Sequence, residues 1–300
     1  MLGLRGIARL SVFWVLVGLA SQAAATEGGG SSYPLGVANF SCCALPPPGV
    51  YGMVYYQRYE ADVVRGDHGQ VTSPPTYRLV ANALVPRLVW VTPWQVLGGA
   101  VSAHAVVPLV RLEMEVVAGV RETQTGSTDP VTGLAIGWHL SPELHVAVGA
   151  DVFVPIGTYD KQALANLGRN YWALQPYAGL TYLQGQGLNV DLKAMYQYNF
   201  ENGESDYLSG QELILDYALG WGVGRGWALG LGGYLYSQVT DDETRGQVLP
   251  QRRGRSIAVG PAVRYQSPQG WLITAKYQDE MFVRNRSDGS GVWIQAALKL

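Results

Sequence analysis

The sequence has little charge, few cysteines and no long internal apolar run. Only 15% of its 300 residues are charged, and only two are cysteines. Beyond the N-terminus it contains no stretch of about 18 apolar residues, which excludes an internal membrane-spanning helix. Lysine and arginine total 21 against 23 acidic residues, without a basic cluster. We therefore expect no nucleic-acid partner.

The cysteines and histidines show no spacing typical of metal binding or catalysis. Cys42 and Cys43 are adjacent, which excludes a loop-closing disulfide framework and a structural zinc site. A vicinal bridge and two free thiols both remain open for this pair. The four histidines have no paired ligand spacing, and no G-x-S-x-G turn occurs. We expect no metal, no cofactor and no enzyme activity.

Glycine and aromatic residues are plentiful. The chain has 38 glycines, 18 tyrosines and 9 tryptophans. This composition is typical of an all-β chain with many turns.

The N-terminus has the features of a secretory signal peptide, residues 1–25. Arg5 and Arg9 form its positive region, residues 10–20 its apolar core, and residues 23–25 a small-residue cleavage site. Cleavage near Ala25 would leave Thr26 as the first residue. The apolar core is too short to span a bilayer, so we predict secretion instead of anchoring.

Residues 189–200 show the alternation that decides the fold. Val190, Leu192 and Ala194 alternate with Asp191 and Lys193, and the pattern continues to Phe200. Successive side chains of a strand point to opposite faces, so this segment has one apolar and one polar face. The apolar face would meet a second sheet in a soluble sandwich and lipid in a membrane barrel.

Strand patterns recur to the end of the chain and predict twelve strands. The connections between them alternate between long, polar loops and short turns, which is typical of an up-and-down outer-membrane barrel and has no explanation in a sandwich. The predicted strands are residues 50–62, 78–91, 100–112, 131–139, 144–155, 172–183, 189–200, 210–221, 227–238, 256–266, 271–278 and 292–300.

These patterns predict a single transmembrane antiparallel β-barrel over residues 50–300. Residues 26–49 are rich in glycine and proline and form a plug-like or periplasmic segment that could enter the lumen. Aromatic residues near strand ends suit the two membrane interfaces; they include Trp138, Trp172, Trp221, Trp227, Trp271 and Trp293.

Strand parity also selects polar side chains that would face the lumen. They could neutralise one another or line a path for the polar ends of solutes. The lumen candidates are Arg58, Glu60, Asp151, Asp191, Lys193, Glu212, Asp216, Tyr234, Tyr236, Gln238, Arg264 and Lys276.

Several motifs occur in an order that resembles a known family. E-G-G-G-S-S-Y-P-L-G begins at Glu27, and P-P-P-G-V-Y begins at Pro46. Further motifs span residues 151–155, 170–172, 206–212, 216–217, 233–242 and 260–263. In these motifs the chain resembles the outer-membrane transporters named for the meta-pathway of phenol degradation.

The resemblance implies a β-barrel channel in the bacterial outer membrane for small hydrophobic, including aromatic, solutes. No ligand-binding residue carries over from the family. An outer-membrane barrel enzyme acting on lipid or peptide, and a structural or adhesive barrel with partner-binding loops, remain as alternatives. The expected partners are membrane lipid and these solutes.

Overall fold

The computed structural model describes residues 26–300, so the predicted signal peptide lies outside the described residues. A three-residue 3₁₀ helix, Glu27–Gly29, opens this part of the chain. No helix within residues 26–300 is long and apolar enough to cross a membrane.

Twelve strands of the large sheet close into an antiparallel barrel. Their order is β1-β18-β17-β16-β13-β12-β9-β8-β7-β6-β3-β2, and β2 pairs with β1. The predicted fold class is therefore confirmed. The strands are β1 Gly49–Arg65, β2 Arg78–Val96, β3 Gly99–Val106, β6 Val131–His139, β7 Leu144–Phe153, β8 Ala173–Leu183, β9 Gln186–Asn199, β12 Glu212–Gly224, β13 Trp227–Gln238, β16 Arg255–Gln266, β17 Leu272–Arg284 and β18 Arg286–Lys299.

Prolines interrupt the third and fourth strands of the barrel. The third is split at Pro108 into β3 and β4 (Leu109–Val117), and the fourth at Pro130 into β5 (Val120–Ser127) and β6. Proline has no N–H to give to a ladder, so the pairing breaks there. Beyond the breaks, β4 and β5 form a hairpin whose inner strand pairs with the first half of β2.

A second, four-stranded sheet lies in the long loops. It consists of β10 (Glu201–Asn202), β11 (Tyr207–Leu208), β14 (Asp242–Thr244) and β15 (Gln247–Leu249). It joins the loop after β9 to the loop after β13, so the long-loop end of the barrel is covered by ordered chain.

Two sequence predictions need correction. Residues 279–291 are polar but form the paired ends of β17 and β18, with the turn at Asn285. Their polarity was misinterpreted as a loop, although these residues continue the pairing of β17 with β16 and of β18 with β1. The predicted second strand is also too short, since β2 continues to Val96 through Pro86, which lies opposite the β3–β4 break.

The two faces of β9 are those expected from its alternation. Asp191 is 1% exposed and Met195 2%, whereas Leu192 is 40% and Tyr198 46% exposed. In a soluble protein such a band of exposed leucine and aromatic side chains would be unfavourable, but in hydrocarbon it is the stable arrangement. The apolar face of the barrel therefore contacts lipid.

Aromatic side chains lie on the outer surface near both ends of the strands. Trp172 and Phe200 lie near the long loops, and Trp221, Trp227 and Trp271 near the short turns, all of them exposed. Trp293 does not belong to this set. It is 3% exposed and packs inside the barrel against Tyr55 and Val85, because its parity on β18 points it to the lumen.

A charge on the lipid-facing surface of the barrel is expected to destabilise it in a depth-dependent way. Leu192→Arg, at the middle of β9, should lower the free energy of unfolding by about 2–4 kcal/mol. Val223→Arg, near the turn after β12, should lower it by about 0–1 kcal/mol. Denaturant unfolding in lipid vesicles measures both, and equal effects would contradict the assigned membrane position.

Candidate functional site

The lumen is the candidate site, and ten of the twelve predicted side chains point into it. All ten have their side chains inside the barrel, nine of them buried and Lys193 partly so. They come from six strands on one side of the barrel, and they form what we call the polar wall. Its members are Asp151, Asp191, Lys193, Glu212, Asp216, Tyr234, Tyr236, Gln238, Arg264 and Lys276.

The predicted inward orientation of Arg58 and Glu60 is wrong. Odd-numbered residues of β1, including Met53, Tyr55 and Tyr59, line the lumen, so the even-numbered ones point outward. Arg58 donates from Nε to Glu60 Oε1 at 2.6 Å, and both side chains are nearly half exposed. Tyrosines lie on both faces of β1, which is why parity alone misassigned this strand.

Residues 26–49 form an N-terminal segment that runs along the polar wall. At the long-loop end, Thr26 N donates to Asp242 Oδ2 at 3.0 Å. Near the short turns, Leu45 lies against Gly137, where an added Cβ would come within 2.6 Å of Leu45 Cδ1. The segment therefore extends from one end of the lumen to the other.

Asp216 binds the middle of the N-terminal segment. Its carboxylate accepts hydrogen bonds from Tyr33 Oη at 2.7 Å, Ala38 N at 2.9 Å and Gly36 N at 3.0 Å. Lys276 Nζ donates to Ala38 O at 2.5 Å. Hydrogen bonds to charged groups stabilise by about 1.5–3 kcal/mol each, so these contacts fix the segment firmly.

A second set of contacts holds the part of the segment nearer the short turns. Cys42 N donates to Asp191 Oδ1 at 3.0 Å, and Arg264 Nη1 donates to Ser41 Oγ at 3.1 Å. Cys43 N donates to Thr181 Oγ1 at 3.0 Å. Cys42 and Cys43 are free thiols with their sulfurs 3.0 Å apart. Thus Asp191 and Arg264, which were expected to line a solute path, instead bind the N-terminal segment.

Opposite the polar wall, β1–β4 and β18 form an apolar wall. Between the two walls lies a cavity of about 760 Å³. It extends from Leu272 near the short turns to Leu164 and Arg169 in the loop after β7. Apolar side chains lining it include Met53, Tyr55, Leu79, Ala83, Val85, Val89, Val106, Val110, Leu112, Met114 and Trp293.

A small charged cluster borders the cavity where the two walls meet. His104 Nε2 lies 3.3 Å from Asp151 Oδ1, and Lys193 Nζ lies 3.8 Å from Asp151 Oδ2. Lys193 Nζ also lies 4.1 Å from the ring centroid of Tyr177. Arg87 Nη1 donates to Tyr55 Oη at 3.3 Å, while Arg87 Nε is buried without a hydrogen-bond partner. The cluster can accept a further polar group from the cavity.

Glu212 of the polar wall accepts hydrogen bonds from Ser31 Oγ and from Asn199 Nδ2 at 3.1 Å. The three remaining members also have structural partners. Tyr234 donates to Glu280, and the guanidinium of Arg286 lies 4.4 Å from the ring centroid of Tyr236. Gln238 Nε2 donates to Asp242 Oδ1 at 2.7 Å. Of these three only Tyr234 lines the cavity. Within residues 26–300, no group of three or more His, Cys, Asp or Glu side chains could hold a metal ion.

Sequence reasoning missed Arg87 and His104 as lumen residues. Both lie in strands whose two faces are apolar, so they do not stand out by alternation. The signal that could have identified them is the isolated polar residue itself, since a charged side chain facing lipid there would be strongly unfavourable.

Comparison with known proteins agrees with this architecture. A sequence model of the family described as "Putative MetA-pathway of phenol degradation" matches residues 61–296. A search of curated proteins found no match. An outer membrane channel from Pseudomonas putida F1 has a similar fold, with 17% identity, a TM-score of 0.78, and coverage of 88% of this chain and 100% of that chain.

Two further barrels are less similar. The translocator domain of the autotransporter NalP from Neisseria meningitidis aligns with 9% identity over 85% of this chain and 90% of its own, at a TM-score of 0.48. The monoaromatic hydrocarbon channel CymD aligns with 10% identity over 94% and 98%, at a TM-score of 0.45. Neither similarity is strong enough to support an argument about function.

Proposed function

We propose that this chain, which belongs to the family described as "Putative MetA-pathway of phenol degradation", forms an outer-membrane channel. The channel would allow passive uptake of small hydrophobic compounds. The observation that carries this proposal is the cavity of about 760 Å³ between the apolar wall and the N-terminal segment. An ordinary water-filled pore would have polar side chains on all sides.

The shape and lining of the cavity favour aromatic solutes. Its volume lies within the roughly 300–1,000 Å³ typical of small-molecule sites. Tyr55 and Trp293 offer ring faces and edges to a solute, and Val85 and Val106 exclude water. Lys193 and Arg87 lie at its polar border, where they could bind the hydroxyl or carboxylate of a substituted ring.

We further propose that the N-terminal segment acts as a plug that narrows the lumen. It occupies the polar wall, so water and ions lose the charged path that the barrel would otherwise offer. Solutes are then left with the apolar path. This division explains why Asp216 and Lys276 bind backbone atoms of the segment instead of facing the cavity.

The alternative of a barrel hydrolase finds little support in the lumen. His104 and Asp151 are in contact, and Ser102 lies two residues from His104 on the same strand. A nucleophile would require a hydrogen bond between the serine and the histidine, and none links Ser102 to His104 in the described residues.

Soaking crystals of the protein with bromobenzene tests the proposed function. We expect anomalous density from bromine inside the cavity, against the apolar wall near Val85 and Trp293. Bromocyclohexane serves as the aliphatic comparison, and we expect weaker occupancy because it lacks ring-ring contacts. Bromine found solely on the lipid-facing surface would overturn the proposal.

A further inference from the structure

Asp242 is a fully buried carboxylate at the long-loop end of the barrel, on the short strand β14. Its Oδ2 accepts hydrogen bonds from Tyr207 Oη at 2.6 Å and Thr26 N at 3.0 Å. Its Oδ1 accepts from Gly210 N and Gln238 Nε2, both at 2.7 Å. Four donors converge on this carboxylate, which is the environment of an ionised group.

Within residues 26–300, no basic side chain forms an ion pair with Asp242. The neighbouring Asp241, in contrast, pairs with Arg253 at 2.8 Å. Burial raises the pKa of Asp242, against the opposing effect of its hydrogen bonds. A buried carboxylate without a cation is unfavourable, so a positive charge on one of its hydrogen-bond donors would stabilise it.

The backbone of Thr26 points to the nature of that partner. Thr26 has φ 61° and ψ 156°, a conformation that is essentially confined to glycine. The strain arises because a positive φ brings Cβ towards the carbonyl of the preceding residue. If the bond to Ala25 is cut, that carbonyl is gone and the strain with it. Thr26 therefore has the geometry of a first residue.

The path of the N-terminal segment supports the same conclusion. Glu27 N donates to Ser209 Oγ at 3.1 Å, and the Glu27 carboxylate accepts from Asn202 Nδ2 at 2.7 Å and from Tyr159 Oη at 2.8 Å. All three partners lie in the long loops. Thr26 and Glu27 are therefore held at the long-loop end of the barrel, beside Asp242.

We propose that cleavage between Ala25 and Thr26 creates an α-ammonium group that binds Asp242, and that this buried ion pair locks the N-terminal segment across the lumen. In the cleavage, water adds across the peptide bond, leaving a carboxylate on Ala25 and an amine on Thr26. An α-amino group has an ordinary pKa of about 7.7–8.0, so the amine takes up a proton at neutral pH. Asp242 is thus a binding site for a primary ammonium.

The inference does not depend on which solute the cavity carries. It requires that the mature chain begins at Thr26 and that the amine lies against Asp242. Failure of solute binding in the bromobenzene experiment would leave both requirements in place, so the two proposals can fail separately.

Mass spectrometry of the full protein, purified from the outer membrane, gives the first test. We expect a mature chain that begins at Thr26 with an unmodified amine. A chain that begins at any other residue overturns the proposal.

The second test is the rate at which an amine-reactive N-hydroxysuccinimide ester labels the α-amine of the folded protein. We expect the native amine to be protected, and Asp242→Asn to be labelled about tenfold faster or more, because a hydrogen bond between two charges is lost. Asp241→Asn is the matched control, since it removes a neighbouring carboxylate that pairs with Arg253, and it should remain protected.

A variant with one threonine inserted between Ala25 and Thr26 distinguishes loss of the ion pair from a general loosening of the loops. The small-residue cleavage site before the insertion is unchanged, and mass spectrometry confirms that the mature chain begins at the inserted threonine. It moves the ammonium one residue away while Asp242 and the loops are unchanged, and its amine should be labelled as fast as that of Asp242→Asn. The same labelling rate in the native protein, Asp242→Asn and the insertion variant would refute the lock. This readout also remains available if Asp242→Asn fails to fold.

Discussion

Deleting residues 27–48 is expected to raise the single-channel conductance of the barrel several-fold. The N-terminal segment fills the half of the lumen that carries the charged side chains, including Asp191, Asp216 and Lys276. Without it, these groups would face water and provide a continuous path for ions. Planar-bilayer recording of the native and deleted proteins measures the change.

The deletion must leave the barrel folded for this comparison to be meaningful. Its twelve strands pair with one another and not with the segment, so heat-modifiable migration on gels should be retained. A folded deletion variant with unchanged conductance would show that the segment does not act as a plug.

Ala83→Trp is expected to remove most of the solute uptake. Ala83 lies on the apolar wall at the cavity, beside Tyr55, Val85 and Trp293. An indole at this position would occupy the space that a ring-sized solute needs. Overpacking costs about 1–3 kcal/mol in a well-packed core, and the adjoining cavity should reduce that strain, so the variant should fold.

Leu84→Trp is the matched control for this substitution. Leu84 is the next residue on β2, its side chain is 49% exposed, and it points to the lipid. The same indole placed there changes the outer surface and leaves the cavity as it was. Full uptake by Leu84→Trp together with low uptake by Ala83→Trp would place the route inside the barrel.

The sequence predicted the barrel well where its two faces meet different solvents. In β9 the lumen side chains Asp191 and Gln197 alternate with Leu192 and Tyr198. Parity alone therefore identified which side chains face the lumen and which face lipid. The alternation of long and short connections supplied the topology. These signals are strong because a strand with one face in hydrocarbon has little freedom in its composition.

The alternation fails in the strands of the apolar wall, and there the sequence was a poor guide. In β2, Ala83 and Val85 face the cavity while Leu84 and Leu88 face lipid, so both faces are apolar. A barrel strand in which apolar and polar residues do not alternate therefore indicates that the lumen next to it is apolar. The orientation of Arg58 was misassigned, and the importance of Arg87 missed, for this reason.

The contacts of the lumen residues could not be predicted from sequence, because the folded N-terminal segment provides their hydrogen-bond partners. Asp216 was expected to line the lumen, and it does point inward, but its partners are Tyr33, Gly36 and Ala38. Contacts between residues about 180 positions apart depend on the folded path of the chain. No local pattern reports them.

The most direct measurement is the initial rate at which intact cells take up a labelled monoaromatic compound at low concentration. Cells with the native protein or Leu84→Trp should take it up faster than cells without the barrel, and cells with Ala83→Trp should fall close to the barrel-free rate. Equal rates in all four, with each variant folded in the outer membrane, would contradict a solute route through this lumen.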